Sequence, residues 1–167
     1  MNIVSKLNIS HDNEKLLSNC KKIISTYGWG NLNQISLTHR PEITHSERYF
    51  DGIGSLPKGC KESDFSMLNQ DLIGTYIEEI INLIPYKLGR IRLMKMKHRS
   101  CYSVHQDSTM RIHIPLITNP QALMIWTDHS IIVHMPIGDI YLTDTTLKHT
   151  AMNGSMEERI HIVGALI

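Results

Sequence analysis

Apolar residues recur at helical spacing in the first half of the chain and alternate with polar ones in the second. Leu16, Leu17, Cys20, Ile23 and Ile24 share one face of a helix predicted over EKLLSNCKKIISTYG. Asp12 or Asn13 caps it, and Gly28 and Gly30 end it. NQISLTH (33–39) reads as a short strand, and 40–62, rich in Gly and Pro, as a long loop. Loops of this length are more often functional than idle. A second helix is predicted from a Ser63 cap to Pro85, with Phe65, Leu68, Leu72, Tyr76, Ile80 and Leu83 at its spacing.

From Leu88 the period becomes two. Strands are predicted near 89–97, 100–106, 110–117, 122–127, 130–135, 139–143, 147–152 and 158–166. Turn signals such as Thr118-Asn119-Pro120 and Asn153-Gly154-Ser155 separate them. Eight short strands preceded by two helices predict a mainly β fold with N-terminal helices. The arrangement expected is a cupin-like jelly roll, the double-stranded β-helix. One domain over 1–167 is expected, its helical and loop part (1–87) packed on a jelly-roll core (88–167).

Composition narrows the function classes. With 167 residues, 41% hydrophobic and 20% charged, the profile is that of a globular domain with a real core. A net charge of +1 favours neither nucleic acid nor an anionic membrane. No apolar run approaches the ~20 residues of a membrane span. The N-terminus shows no signal-peptide core, and Cys20, Cys60 and Cys101 read as free thiols, so a cytoplasmic location is expected. Seven of the ten histidines lie at or beyond His98. That bias directs attention to the strand-rich half.

His105-Gln106-Asp107 puts an imidazole and a carboxylate two residues apart, on one face of a strand. Both suit a first-row divalent metal. Alone, the triplet is common by chance, and a half-buried polar strand end explains it equally. His149 follows 42 residues after Asp107, a spacing that lets two strands of a roll lie side by side. Two histidines and one carboxylate form a facial triad, which suits iron(II) with open positions. Arg159, ten residues beyond His149, opens the last strand, where an arginine needs an anionic partner. Glu157 or Glu158 is one such partner, and a bound carboxylate is another.

HxD, a distal His and an Arg ten residues on resemble the Fe(II)/2-oxoglutarate-dependent dioxygenases. From Arg90 to Ile167 the chain is most similar to the aspartyl/asparaginyl β-hydroxylase branch. The matching segments are RIRLMKMKHRSCYSVHQD, MRIHIPLITNP and PIGDIYLTDTTLKHTAMNGSMEERIHIVGALI. The resemblance implies His105, Asp107 and His149 as iron ligands. It also implies Arg159 and His113 on the carboxylates of 2-oxoglutarate, Arg111 facing the substrate, and O2 as co-reactant. The implied reaction is hydroxylation of a C–H bond of an amino acid, free or as an Asp/Asn-type residue in a peptide or protein. The alternative is a cupin-type metal-binding isomerase or small-ligand binder without oxygenase turnover.

The tetrapeptide RIHI occurs twice, at 111–114 and 159–162. The flanks differ, so the two copies read as two strands with the same alternation rather than a duplication. Arg111 and His113 share one face, and Ile112 and Ile114 the other. A satisfied core histidine is the plainer reading of His113. His161 has no assigned role beyond filling its face. Arg90 and Arg92 also share a face, turned either to the pocket or to solvent. Loop 40–62, with His45, Arg48, Tyr49 and Phe50, is expected to cover the site as a lid.

Overall fold

A computed structural model describes residues 2–30 and 32–167. Along the chain run β1 (Val4–Leu7), α1 (Asn13–Tyr27), β2 (Gln34–Ser36), β3 (Thr38–His39), β4 (Met67–Leu68) and α2 (Tyr76–Leu83). There follow β5 (Leu88–Met96), β6 (Ser100–Cys101), β7 (Arg111–Ile117), β8 (Ala122–Trp126), β9 (Ile131–His134), β10 (Ile140–Thr143), β11 (His149–Asn153) and β12 (Arg159–Leu166). The larger sheet has the order β1-β10-β7-β12-β5-β2, the smaller β6-β11-β8-β9, and their pairings are antiparallel.

The period of two decides what each face of the larger sheet does. Ile91, Leu93, Ile112, Ile114, Ile160 and Ile162 point outward and are buried under the helices with Leu16, Cys20, Ile23, Ile77 and Ile80. Each such isoleucine or leucine contributes about 1.5–3 kcal/mol by leaving water. The opposite face carries Arg92, Arg111, His113, Arg159 and His161, and turns toward the smaller sheet. Met96, Met124, Trp126, Tyr141 and Ala151 close one end of the space between the sheets as a second apolar cluster.

α1 forms as its pattern predicts. Asp12 accepts the Lys15 N–H at 3.0 Å, and Gly28 ends the helix at φ +69°, donating to the Ile24 carbonyl. The second helix differs from expectation: it begins at Tyr76, after a Thr75 cap, not at Ser63. Residues 67–68 instead pair with β3, and Asn69 is drawn to the β2–β3 segment through Ser36 and Leu37. Gly74, at φ +76°, then breaks any helical continuation. Phe65 and Leu72 are buried as their spacing implied, but from single-turn 3-10 segments rather than an α-helix. The predicted strand 100–106 is likewise shorter: regular pairing covers Ser100–Cys101 and returns only as a bridge between His105 and His149.

Candidate active site

The isolated bridge builds the site. His105 and His149 exchange both backbone hydrogen bonds at 2.9 Å, as opposed residues of an antiparallel pair do. Their rings lie 4.4 Å apart, centroid to centroid. Asp107 is held alongside by its N–H to the Thr145 carbonyl, and its carboxylate is 4.0 Å from His149 Nε2. Candidate ligand atoms of His105, Asp107 and His149 lie within 4.8 Å of one another.

The tautomers follow from the surroundings. His105 Nδ1 sits 2.8 Å from the Ser103 carbonyl, and His149 Nδ1 2.9 Å from that of Leu147. A carbonyl only accepts, so each Nδ1 donates and each Nε2 keeps its lone pair. That is the usual arrangement behind metal-ligating histidines. Burial lowers the pKa of His149, which keeps it neutral and ligand-competent near pH 7. The donor set of two imidazoles and a carboxylate fits iron(II).

A cavity of about 580 Å³ opens beside this cluster, lined on the larger sheet by Arg90, Arg92, Arg111, His113 and Arg159. Arg159 is buried and makes no ion pair with Glu157, Glu158 or any other described carboxylate. Its Nε and Nη2 face the two ring nitrogens of His161, at 3.1 and 2.9 Å. A neutral imidazole accepts one hydrogen bond, so the guanidinium keeps donors unspent. Burial lowers its pKa to about 10, leaving it charged at neutral pH. Neither ring nitrogen of buried His113 has a hydrogen-bond partner among the described residues. Orphaned buried donors of this kind are costly and fit an incoming carboxylate.

Arg111 is more committed than its sequence position implied. Its Nη2 lies 2.6 Å from Glu62, its Nε 3.2 Å from Asp107, and its Nη1 2.6 Å from Thr109 Oγ1. Glu62 also pairs with Arg90, at 3.3 Å. Arg90 adopts φ +45° at an irregularity between β5 and β12 and donates to the carbonyls of Gly52 and Gly54. Arg90 and Arg92 thus turn to the pocket, not to solvent.

The lid expectation is corrected in its particulars. Tyr49 is core, stacked on Tyr27 at 3.7 Å, and both hydroxyls donate to Asp71. The parts of the loop that reach the cavity are Gly54–Leu56 and Glu62. Glu62 and Gln34 escaped the sequence reading altogether. Neither belongs to a motif, and only the fold brings them to the site.

Comparisons with known proteins agree with this geometry. A family model described as aspartyl/asparaginyl beta-hydroxylase matches residues 73–166, more than half of the chain. The chain belongs to this family. It is therefore placed among the 2-oxoglutarate-dependent hydroxylases. No curated protein matches. Among solved structures, it is similar to an oxidoreductase of the 2OG-Fe(II) oxygenase family from Burkholderia pseudomallei. That match has 14% identity and TM-score 0.57, covering 98% of this chain and 83% of that one. A prolyl-4-hydroxylase from Pseudomonas putida matches at 10% identity and TM-score 0.56, covering 99% and 92%. A truncated viral collagen prolyl hydroxylase from Paramecium Bursaria Chlorella virus-1 matches at 11% and 0.51, covering 99% and 91%. At such identities the likeness establishes the fold, which is the double-stranded β-helix expected from the strand pattern.

Proposed function

We propose that this hydroxylase uses iron(II), 2-oxoglutarate and O2 to hydroxylate a C–H bond of an amino acid, either free or as an Asp/Asn-type residue in a peptide or protein. The observation that carries the reading is the triad itself. Two histidines with their Nδ1 protons spent on carbonyls leave Nε2 free near the Asp107 carboxylate, beside Arg159 and Arg92, buried cations with no ion-pair partner among the described carboxylates.

In this reading His105, Asp107 and His149 hold the iron. Arg159 grips the far carboxylate of 2-oxoglutarate, and His113 donates to one of its carboxylates. Bound iron and 2-oxoglutarate supply the oxidising chemistry, in which O2 is consumed and succinate, carbon dioxide and an alcohol are formed. The protein positions and excludes. His161 braces the Arg159 guanidinium. Arg111 fixes the Asp107 carboxylate through its Nε and lines the substrate side of the cavity. A cupin-type binder or isomerase has no need of a buried arginine without a carboxylate, so Arg159 favours the oxygenase.

The test is succinate formation from 2-oxoglutarate in air with added iron(II). Wild-type protein is expected to form succinate, even slowly and without substrate. His149→Ala is expected to abolish it. Undiminished succinate formation by that folded variant would refute the triad.

A further inference from the structure

The cavity has two positive ends. Arg159 pairs in register with Met96, and Arg92 with Val163, so the two arginines stand four residues apart along β12. That is roughly 13 Å of strand. Arg159 lies at the end with His161, while His113 is opposite Val163, as Arg92 is, but on the far side of β12, with its ring 5.8 Å from that of His161. Arg92 belongs to the end with Arg90, Arg111 and Glu62, whose charges act on it.

Arg92 is the odd member of its cluster. Arg90 and Arg111 share Glu62, and Arg111 adds Asp107. Arg92 is 6% exposed, forms no ion pair with a described carboxylate, and donates once, to Gln34 Oε1 at 3.0 Å. Its Nε is buried without a hydrogen-bond partner among the described residues. A buried guanidinium left this way is costly unless a ligand completes it. Gln34 Oε1 accepts from Gly54 N–H as well, so the same amide ties Arg92 to the loop over the cavity.

Charge counting points the same way. Four arginines and two carboxylates, Glu62 and Asp107, line the cavity. A divalent iron and a doubly charged 2-oxoglutarate cancel one another and leave the positive excess in place. With Arg159 assigned to the cosubstrate and Asp107 to the iron, the excess of two charges rests on Arg92 and on the pair of Arg90 and Arg111 that shares Glu62, and of these only Arg92 has no described carboxylate partner.

We propose that Arg92 is the residue that recognises the substrate, by pairing with a carboxylate of it at the end of the cavity opposite Arg159. This rests on the proposed oxygenase reading and sharpens it. Arg111 shapes the chamber and steadies Asp107, while Arg92 makes the charge-to-charge contact. Two sources present that group: the α-carboxylate of a free amino acid, or an acidic side chain within a peptide.

The test uses the full chain held anaerobically with iron(II) and 2-oxoglutarate, whose visible band reports substrate entry. The probes are the free L-amino acids, their C-terminal amides, and end-capped tripeptides with a central Asp or Asn. At least one carboxylate probe is expected to perturb the band, with its neutral counterpart inert. A response to a free acid but not its amide identifies an α-carboxylate. A response to the Asp but not the Asn tripeptide identifies a side chain.

Arg92→Met is expected to weaken that probe about 10- to 100-fold, while the 2-oxoglutarate dissociation constant stays within about twofold. Arg92→Lys is expected to recover part of the loss. Gln34→Glu keeps Arg92 but gives it a carboxylate neighbour, and is expected to weaken the same probe, so the proposal does not depend on one variant folding. Three results overturn it: equal probe affinity in Arg92→Met and wild type, a response confined to uncharged probes, or no response to any carboxylate probe once the band has formed. Failure of the band to form in wild type would instead strike the oxygenase reading itself.

Discussion

At the scale of single residues, the site is a set of buried groups whose partners decide their roles. His113 and His161 are held neutral, first by burial and then by Arg159. Their folded pKa values lie below the unfolded value near 6.5, so their contribution to stability is intact above that pH and lost as pH falls through it. Each is expected to remove about 1.4 kcal/mol per pH unit below 6.5. Chemical denaturation at pH 7.5, 6 and 5 checks this, and a His161→Gln variant should show a shallower loss. Glu62 is 4% exposed and pairs with two arginines. Glu62→Gln is expected to cost about 3–5 kcal/mol, because it leaves buried cations uncompensated. Equal stability to wild type would mean that the cluster is solvated. The convergence of His105, Asp107 and His149 beside Arg159 was legible because their spacing is tied to strand pairing. Glu62, Gln34 and the orientation of Arg92 were not, since they depend on which loop the fold lays over the sheet.

At the scale of elements, alternation on β7, β12 and β5 makes one face a helix-covered core and the other a charged pocket. The repeated RIHI reflects this shared alternation: its isoleucines face the helices and its basic residues the opposite side, where Arg111, His113 and Arg159 line the cavity. Most strands from Leu88 onward were legible, because period two survives burial of one face, but 100–106 pairs regularly only at Ser100–Cys101, and β1 and β4 were not read as strands. The start of α2 was not. Phe65, Leu68 and Leu72 satisfy helical spacing, but pairing of residues 67–68 with β3 and the positive φ of Gly74 override it. Gly89 marks the point where β5 meets the loop: a Cβ there would lie 2.5 Å from the Glu62 carbonyl oxygen. Gly89→Ala is therefore expected to displace Glu62, lower the melting temperature and disturb the arginine cluster. A crystal structure with Glu62 unmoved would contradict that account. Asp12→Ala, far from the site, is expected to cost about 1 kcal/mol through loss of the α1 cap, with the iron site unchanged.

At the scale of the whole molecule, a near-neutral chain encloses a strongly positive cavity. The formal net charge of +1 gives no hint of four arginines gathered around one site. Among the described residues no helix is long and apolar enough to cross a membrane. Cys20 lies on the buried face of α1, and burial raises its thiol to about 12, whereas Cys101 is exposed. Alkylation at pH 8 is expected to label Cys101 promptly and Cys20 only after unfolding, which gives a simple check that variants remain folded. The fold class was legible from strand count and spacing. The proposal that cosubstrate and substrate carboxylates sit at Arg159 and Arg92 needed the register of β5 against β12. The most direct test of the central claim is the visible spectrum of the protein mixed anaerobically with iron(II) and 2-oxoglutarate. A weak charge-transfer band is predicted for wild type, absent in His149→Ala and needing much more 2-oxoglutarate in Arg159→Ala; folded wild-type protein that shows no band at saturating concentrations of both would contradict it.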